Sequence, residues 1–150
     1  MRELVAERGW QHRVTFDVVD RAALAARYAA ADAFVFASEW DEPFGLTPVE
    51  AMACGVPVLG TATGGSGEFL VDGWNCLWFS PGDPRAMAAA VDRLAEDEPL
   101  RRDLVANGFA TAAQLDTDVL ASTFHRWHRA VADRFRSGRP PDRVLEVGPS

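Results

Sequence analysis

Apolar runs and helical periodicities alternate along this chain. Ala33–Ala37 is a continuous apolar run, which predicts a parallel strand buried on both faces. Val56–Gly60 and Cys76–Phe79 predict two more short strands, and the β-branched segment Arg13–Val19 predicts another one upstream. The pattern therefore contains four candidate strands.

Cap residues and helical spacing place helices between these strands. Asp20 is the N-cap of a helix predicted to reach about Ala30, and Asp83 with Pro84 begins another. The other predicted helices are Glu3–Arg8 (the end of a helix), Leu46–Cys54, Ser66–Val71, Leu100–Phe109 and Asp118–Phe135. Strands that alternate with helices indicate an α/β fold built around a parallel sheet.

The helix predicted over Asp118–Phe135 carries one apolar stripe at helical spacing. The stripe consists of Leu120, Phe124, Trp127, Val131 and Phe135. Its simplest interpretation is a face that packs into the core. Residues 137–150 are rich in glycine, proline and charge, so we expect one domain over residues 1–136 and a flexible tail after it.

Composition limits the possible functions. The chain has 150 residues and a net charge of −7, and all 15 of its basic residues are arginine. The charge argues against a nucleic-acid binder, which needs a basic face, and the missing lysine excludes lysine-based catalysis within the chain. No apolar run approaches ~18 residues, the N-terminus has no signal-peptide core, and two cysteines form no disulfide framework. We expect a cytoplasmic protein without a membrane span.

The segment Ser38–Glu50 joins a predicted buried strand to a predicted helix. Ligands of open α/β sheets bind at this edge, beyond the carboxyl ends of the strands. Gly45 permits close approach of a ligand to the backbone, and the amides that follow it open the helix. Free amides and the helix dipole favour an anion such as a diphosphate. Glu42 and Glu50 place two carboxylates around this point.

Each of these residues also has a purely structural interpretation. Thr47-Pro48-Val49-Glu50 matches a capping box, in which Thr47 caps the helix and Glu50 reaches back to the cap. Glu42 taken alone is a solvated loop acid. The residues by themselves therefore predict an anion site at a helix start with acids nearby, and no specific chemistry.

A dense and ordered series of motifs runs through the chain. The series consists of Tyr28–Phe36, Ser38, Glu42–Leu46, Glu50–Val58, Gly64-Gly65, Glu68, Asp72-Gly73, Asn75–Leu77 and Pro81–Asp83. Over residues 4–131 these motifs resemble the C-terminal, donor-binding domain of retaining GT-B glycosyltransferases, the glycosyl transferases group 1 of family four. The resemblance implies a Rossmann-like parallel sheet that forms an incomplete, N-terminally truncated C-terminal half of a GT-B fold.

The resemblance also implies a role for each site residue. Glu42 is the residue implied as catalytic, since it lies beside the donor sugar and binds its hydroxyls, and Glu50 grips the ribose hydroxyls. The implied donor-binding residues are Glu50, Phe44, Gly45, Leu46, Thr47, Gly64, Gly65, Val18 and Val19. The amides at 44–47 contact sugar and diphosphate, the glycines form the pocket wall, and the valines meet the base. Such enzymes transfer a sugar from a nucleotide-diphosphate donor with retention, and need neither a metal nor a cofactor.

The chain departs from the family pattern. Asp17 stands where the family usually has glycine. Two strand–helix units that carry a basic diphosphate clamp are absent, and so is the N-terminal acceptor domain. In the strand order 3-2-1-4-5-6 the absent strands are central, so a gap should separate the strand around Phe16 from the strand around Phe34. Either the chain is a fragment, or the sheet is re-paired, or a partner fills the gap.

Three functions remain open from the sequence. The first is a glycosyltransferase donor-binding domain that is inactive as an isolated chain and needs a missing N-terminal domain. The second is a non-catalytic nucleotide-sugar-binding module, or a split-enzyme subunit that needs a partner chain. The third is a structural remnant that binds nothing well. The acceptor is unknown in each case.

Two pairs of potential metal ligands have structural interpretations. His125 and His128 are three residues apart on a predicted helix, and without further ligands they are expected at the surface and not on a metal. Cys54 and Cys76 are expected as small core residues.

Trp40, Trp74 and Trp78 lie unusually close together in the sequence. Core packing or loop anchoring is the favoured interpretation, and stacking of Trp40 or Trp74 on a sugar or base is the alternative. In GT-B enzymes the terminal helix often crosses back to the other domain, so the resemblance implies that part of the stripe on the last helix is exposed.

Overall fold

The structure is a computed structural model that describes residues 1–137. Its elements in chain order are α1 (Arg2–Glu7), α2 (Arg21–Ala29), β1 (Phe34–Phe36), α3 (Leu46–Ala53), β2 (Val58–Gly60), a 3-10 helix (Gly64–Glu68), β3 (Cys76–Trp78), α4 (Pro84–Glu96), α5 (Glu98–Gln114) and α6 (Thr117–Arg136). Apart from Ser137, the predicted tail lies outside the described residues.

The three strands form one parallel sheet in the order β1-β2-β3. Phe34 stands beside Val58, and Val58 stands beside Cys76, so the three strands run in register. Helix α3 connects β1 to β2, which is the connection that parallel strands require. The α/β fold and the parallel sheet predicted from the sequence are confirmed.

The sheet separates two apolar layers. Val58 and Cys76 face one side, while Leu59 and Leu77 face the other, because neighbouring residues of a strand point to opposite faces. The first layer adds residues of α2 and α3, namely Tyr28, Ala51 and Met52. The second layer adds Ala90 and Leu94 of α4 and Leu104 of α5. Helices therefore cover both faces of β2 and β3.

Aspartate caps start two helices as the sequence predicts. The Asp20 carboxylate accepts a hydrogen bond of 2.8 Å from the Ala23 amide at the start of α2. The Asp83 carboxylate accepts from the amides of Arg85 and Ala86, at 2.9 and 3.0 Å, at the start of α4. Each carboxylate satisfies amides that have no partner within the helix.

The strand predicted over Arg13–Val19 is wrong. The segment forms no strand, and the side chain of Val18 is 96% exposed. It is held instead by side chains, since the Arg2 guanidinium lies 4.6 Å from the Phe16 ring centroid and Asp17 pairs with Arg27. A β-branched run becomes a strand only beside another backbone, and no strand of residues 1–137 lies beside this one. The described residues therefore show no re-pairing of the sheet.

The prediction that β1 is buried on both faces is also wrong. Val35 is 41% exposed, whereas Phe34 and Phe36 are half-buried. Val35 stands beside Leu59 and so faces the α4 side of the sheet. Because α4 packs over β2 and β3, nothing in the described part of the chain covers Val35 fully.

Helix α6 does not contribute to the core. It has no buried residue, and Phe124, Val131 and Phe135 of the predicted stripe are 54%, 66% and 87% exposed. The core interpretation of this stripe is therefore wrong, and the exposure implied by the resemblance is what the helix shows. His125 and His128 are exposed on the same helix, as predicted. Within residues 1–137, no helix combines the length and hydropathy needed to cross a membrane.

Asn75 fastens the loop before β3 to helix α5. It is fully buried, and its side-chain oxygen accepts from the Val71 amide at 2.8 Å. Its side-chain nitrogen donates to the Phe69 carbonyl at 2.7 Å and to the Thr111 hydroxyl at 2.9 Å. One fully buried side chain thus makes three hydrogen bonds, and the bond to Thr111 lies in the interior.

We predict that Asn75→Ala lowers the free energy of unfolding by about 2–4 kcal/mol, because it removes three hydrogen bonds made by a fully buried side chain. Urea unfolding followed by circular dichroism measures the change. Asn107→Ala is the matched control, since its side chain makes one exposed bond of 2.9 Å to the Trp74 carbonyl and its loss should cost less than about 1 kcal/mol. Equal losses in the two variants would contradict the assignment.

Candidate functional site

Helix α3 begins without a side-chain cap. Its N-cap is Gly45, whose φ of 83° lies in the left-handed region, and no side chain accepts a bond from the first turn. Thr47 is the second residue of the helix and not its cap, so the predicted capping box is wrong. The local reason is Gly45, which turns the chain into the helix two residues earlier than the Thr-x-x-Glu pattern suggests. The first-turn amides are left without a capping side chain.

Glu50 forms a hydrogen bond to a residue of α2 and not to the N-terminus of its own helix, α3. The Tyr28 hydroxyl of α2 donates to Glu50 Oε2 at 3.2 Å. Tyr28 is buried, whereas Glu50 is half-buried. Tyr28 was predicted only as part of a motif, because it lies 22 residues from Glu50 in the chain. The carboxylate of Glu50 therefore has a fixed partner on one oxygen.

Glu42 is not a solvated loop acid. It is half-buried, and its Oε1 atom is inaccessible to water and has no hydrogen-bond partner among residues 1–137. A Cβ atom built on Gly45 would lie 3.1 Å from this oxygen, so the glycine leaves the space beside it open. A buried carboxylate oxygen without a donor is unfavourable, and a ligand hydroxyl would relieve it.

The glycine pair after β2 packs directly on the loop that holds Glu42. The Gly65 amide donates to the Glu42 carbonyl at 2.7 Å. A Cβ on Gly65 would lie 2.1 Å from the Pro43 carbonyl oxygen, and one on Gly64 would lie 2.5 Å from the Glu42 amide nitrogen. Both distances are far below normal contact, so only glycine lets the two backbones meet. The predicted wall residues Gly64 and Gly65 thus adjoin Glu42.

Hydroxyl groups of the segment after β2 make three further bonds, two of which reach the loop after β1. Thr61 and Thr63 both donate to the Ser38 carbonyl, at 2.6 and 3.1 Å. The Ser66 hydroxyl donates to the Thr63 carbonyl at 2.7 Å. These three residues were not predicted from the sequence as part of the site. The two threonines had a signal, which is a Thr-x-Thr pair directly after a buried strand, where side-chain hydroxyls can bond to nearby backbone.

The remaining residues implied for donor binding differ in placement. Phe44 is half-buried, with its ring centroid 5.3 Å from that of Phe69, so its backbone is anchored. Leu46 and Thr47 are exposed at the first turn of α3, next to Gly45. These residues lie together with Glu42 at the end of the loop.

Val18 and Val19 are not joined to this group. They lie in the segment that forms no strand, and no hydrogen bond among residues 1–137 connects them to the loops around Glu42. Their assignment to the base therefore stays a prediction.

The three tryptophans are on the surface. Trp40, Trp74 and Trp78 are 65%, 42% and 48% exposed, so core packing is wrong for all three. Trp40 stands two residues before Glu42, where its carbonyl accepts from the Ser38 hydroxyl at 3.1 Å. The two cysteines are both free, and Cys76 is buried while Cys54 is half-buried, in agreement with the prediction. No cluster of three His, Cys, Asp or Glu side chains suited to a metal ion occurs in residues 1–137.

Comparison with known families decides what kind of protein carries this arrangement. The family model described as "Glycosyl transferases group 1" matches residues 1–111, which is more than half of the chain. The chain belongs to the glycosyl transferases group 1 family. Its three-stranded parallel sheet is a partial GT-B fold, as the sequence predicts.

Three similar proteins show how much of a longer protein this chain corresponds to. The mannosyltransferase LpsB of lipopolysaccharide core biosynthesis, from Rhizobium meliloti, is 36% identical over 116 residues, which is 76% of this chain and 32% of LpsB. Sucrose-phosphate synthase from Thermosynechococcus elongatus superposes with a TM-score of 0.79 at 34% identity, over 88% of this chain and 33% of that one. HepE from Anabaena, in complex with UDP-glucose, superposes with a TM-score of 0.70 at 32% identity, over 75% and 31%. The group 1 chain thus spans about a third of the length of these relatives.

The glycine pair provides a test of the loop contact in this group 1 chain. We predict that Gly64→Ala destabilises the fold more than Gly73→Ala, by about 1–3 kcal/mol, because only the first substitution overpacks the Glu42 backbone. Gly73 is a matched control, since its φ of 71° is close to the 59° of Gly64 and a Cβ there meets nothing within 4 Å.

Both alanine variants carry the left-handed penalty of about 1–2 kcal/mol, so their difference isolates the clash. Urea unfolding of the two variants measures this difference. Equal unfolding free energies would show that the two loops are not in close contact.

Proposed function

We propose that this chain is the donor-binding part of a glycosyltransferase that takes its sugar from a nucleoside diphosphate sugar. The observation that carries the proposal is the unpartnered, buried Oε1 atom of Glu42, next to the uncapped start of α3. An unsatisfied acceptor beside unsatisfied amides suits a ligand that has hydroxyls next to an anion. Membership of the group 1 family supports the same chemistry, and the complex of HepE with UDP-glucose supports this class of donor.

The proposed arrangement divides the donor among three groups. The diphosphate binds the amides at the start of α3, near Leu46 and Thr47, where the helix dipole favours negative charge. Glu42 accepts hydrogen bonds from hydroxyls of the donor sugar, with the backbone of Phe44 and Gly45 beside it. Glu50 accepts from the ribose. We keep Val18 and Val19 in this proposal as the backbone that meets the base.

Transfer proceeds with retention and without a metal in this proposal. The bond between the anomeric carbon and the diphosphate oxygen breaks, and the acceptor hydroxyl oxygen bonds to that carbon on the same face. The acceptor's proton passes to the departing phosphate. Amides at the helix start stabilise the negative charge that develops there, which is the usual role of preorganised donors in a site. Glu42 is the catalytic residue of the proposal because it touches the reacting sugar.

We expect the chain by itself to bind the donor and to transfer no sugar. It spans about a third of its relatives, and an acceptor needs a second binding surface. The open edge of β1 and the exposed stripe of α6 are surfaces that such a second part would cover. A split-enzyme subunit that assembles with a partner chain has the same surfaces, and therefore remains the alternative.

Isothermal titration calorimetry tests the donor site. The wild-type chain should bind at least one of UDP-glucose, GDP-mannose and ADP-glucose, with or without EDTA. Glu42→Gln should weaken binding of the nucleotide sugar about 10- to 100-fold and should not weaken binding of the matching nucleoside diphosphate, because only the sugar hydroxyls meet this carboxylate.

The matched control is Glu39→Gln, an exposed acid in the same loop, which should bind like the wild type. An equal loss for the sugar nucleotide and for the bare nucleotide would contradict the role of Glu42. A chain that binds none of the three donors would overturn the proposal and favour a structural remnant.

A further inference from the structure

The carboxylate of Glu50 is held from outside its own helix. Glu50 Oε2 accepts the Tyr28 hydroxyl at 3.2 Å, and this bond crosses from α2 to α3. A carboxylate offers about four acceptor positions on its two oxygens. The tyrosine occupies one of them, so Oε1 and one position on Oε2 stay available to a ligand.

Tyr28 is itself a rigid support. Its side chain is 9% exposed and belongs to the core layer between the sheet and α3. Its ring meets the ring of Phe34 on β1 edge-on, with centroids 5.5 Å apart and planes at 75°. Because the ring is fixed by strand and helix together, the position of its hydroxyl is fixed by the fold.

The hydroxyl of Tyr28 donates over the whole neutral pH range. Burial, followed by the charge of Glu50 and the hydrogen bond to it, raises the pKa of Tyr28 to about 12. The phenol therefore stays protonated throughout the neutral pH range. The direction of the bond is fixed, with the tyrosine as donor and the carboxylate as acceptor.

We propose that Tyr28 is a positioning residue, which holds the Glu50 carboxylate in the orientation that accepts the two ribose hydroxyls of the donor. The inference rests on the proposed function, since it takes the ribose contact of Glu50 from there. A glutamate on a helix otherwise samples several rotamers, and binding would have to order it. With one oxygen already fixed, a ribose diol meets a prearranged pair of acceptors. Tyr28 acts through Glu50 and makes no contact with the nucleotide in this proposal.

Binding of ribose and of dideoxyribose nucleotides tests the inference. The probes are UDP, GDP or ADP, whichever binds the wild type most tightly, and the 2′,3′-dideoxy form of the same nucleotide. Glu50→Gln should weaken the ribonucleotide about 10- to 100-fold. Tyr28→Phe, which keeps the ring, should weaken it about 2- to 12-fold, which is the cost of ordering one side chain. Neither change should weaken binding of the dideoxynucleotide, which lacks the hydroxyls.

Coupling between the two substitutions separates positioning from general damage. The double variant Tyr28→Phe/Glu50→Gln should bind the ribonucleotide no more weakly than Glu50→Gln alone. Glu96→Gln, an exposed acid at the end of α4, is the control and should bind like the wild type. Equal losses for ribo- and dideoxynucleotide in Tyr28→Phe, or additive losses in the double variant, would overturn the inference and leave Tyr28 a purely structural residue.

A titration checks the pair without any nucleotide. Tyr28 is the only tyrosine of the chain, so the phenolate absorbance in the near ultraviolet reports this residue alone. Glu50→Gln should lower the pKa of Tyr28 from about 12, and burial should keep it above 10.0. An unchanged pKa would show that Tyr28 and Glu50 are not paired. This result would overturn the inference about Tyr28 and leave the proposed function intact. A normal pKa shift without any nucleotide binding would instead overturn the proposed function and the ribose contact with it.

Discussion

The contact between two loop backbones is the constraint on which the site depends. The Gly65 amide meets the Glu42 carbonyl at 2.7 Å, and there is no room for a side chain on either Gly64 or Gly65. Neighbouring parallel strands bring these loops to one edge of the sheet, and the hydroxyls of Thr61 and Thr63 hold them there. The contact directs the Glu42 carboxylate inward beside Gly45, where one oxygen has no partner.

Local signals in the sequence were sufficient for most of the fold. Asp20 and Asp83 start helices because each carboxylate satisfies its own first-turn amides, which requires nothing distant. The Thr47–Glu50 pattern failed because Gly45 begins the helix two residues earlier, so Glu50 lies past the first turn and cannot reach back to the N-cap. Its carboxylate accepts instead from the hydroxyl of Tyr28, which is 22 positions away in the chain. Tertiary packing therefore sets this partner, and no local pattern around Glu50 indicates it.

Three wrong predictions share one physical cause. The β-branched segment Arg13–Val19, the outward residue Val35 and the stripe of α6 all have the pattern of surfaces that pack against a neighbour. Within residues 1–137 none of them has one, so the first forms no strand and the others are exposed. A hydrophobic pattern indicates that another surface packs against these residues. That surface need not belong to the same stretch of chain.

The charges of the site explain why, on the proposed function, backbone amides bind the diphosphate and carboxylates bind the hydroxyls. The chain has no lysine and a net charge of −7. A bare diphosphate near Glu42 and Glu50 is therefore attracted by the N-terminus of α3 and repelled by the two carboxylates. A nucleoside diphosphate sugar adds hydroxyls at both of its ends. On the proposed function each hydroxyl group converts a repelling carboxylate into a hydrogen-bond acceptor, one at the sugar and one at the ribose. Two acids beside an anion site made of uncharged backbone amides thus favour the complete donor over phosphate or diphosphate alone.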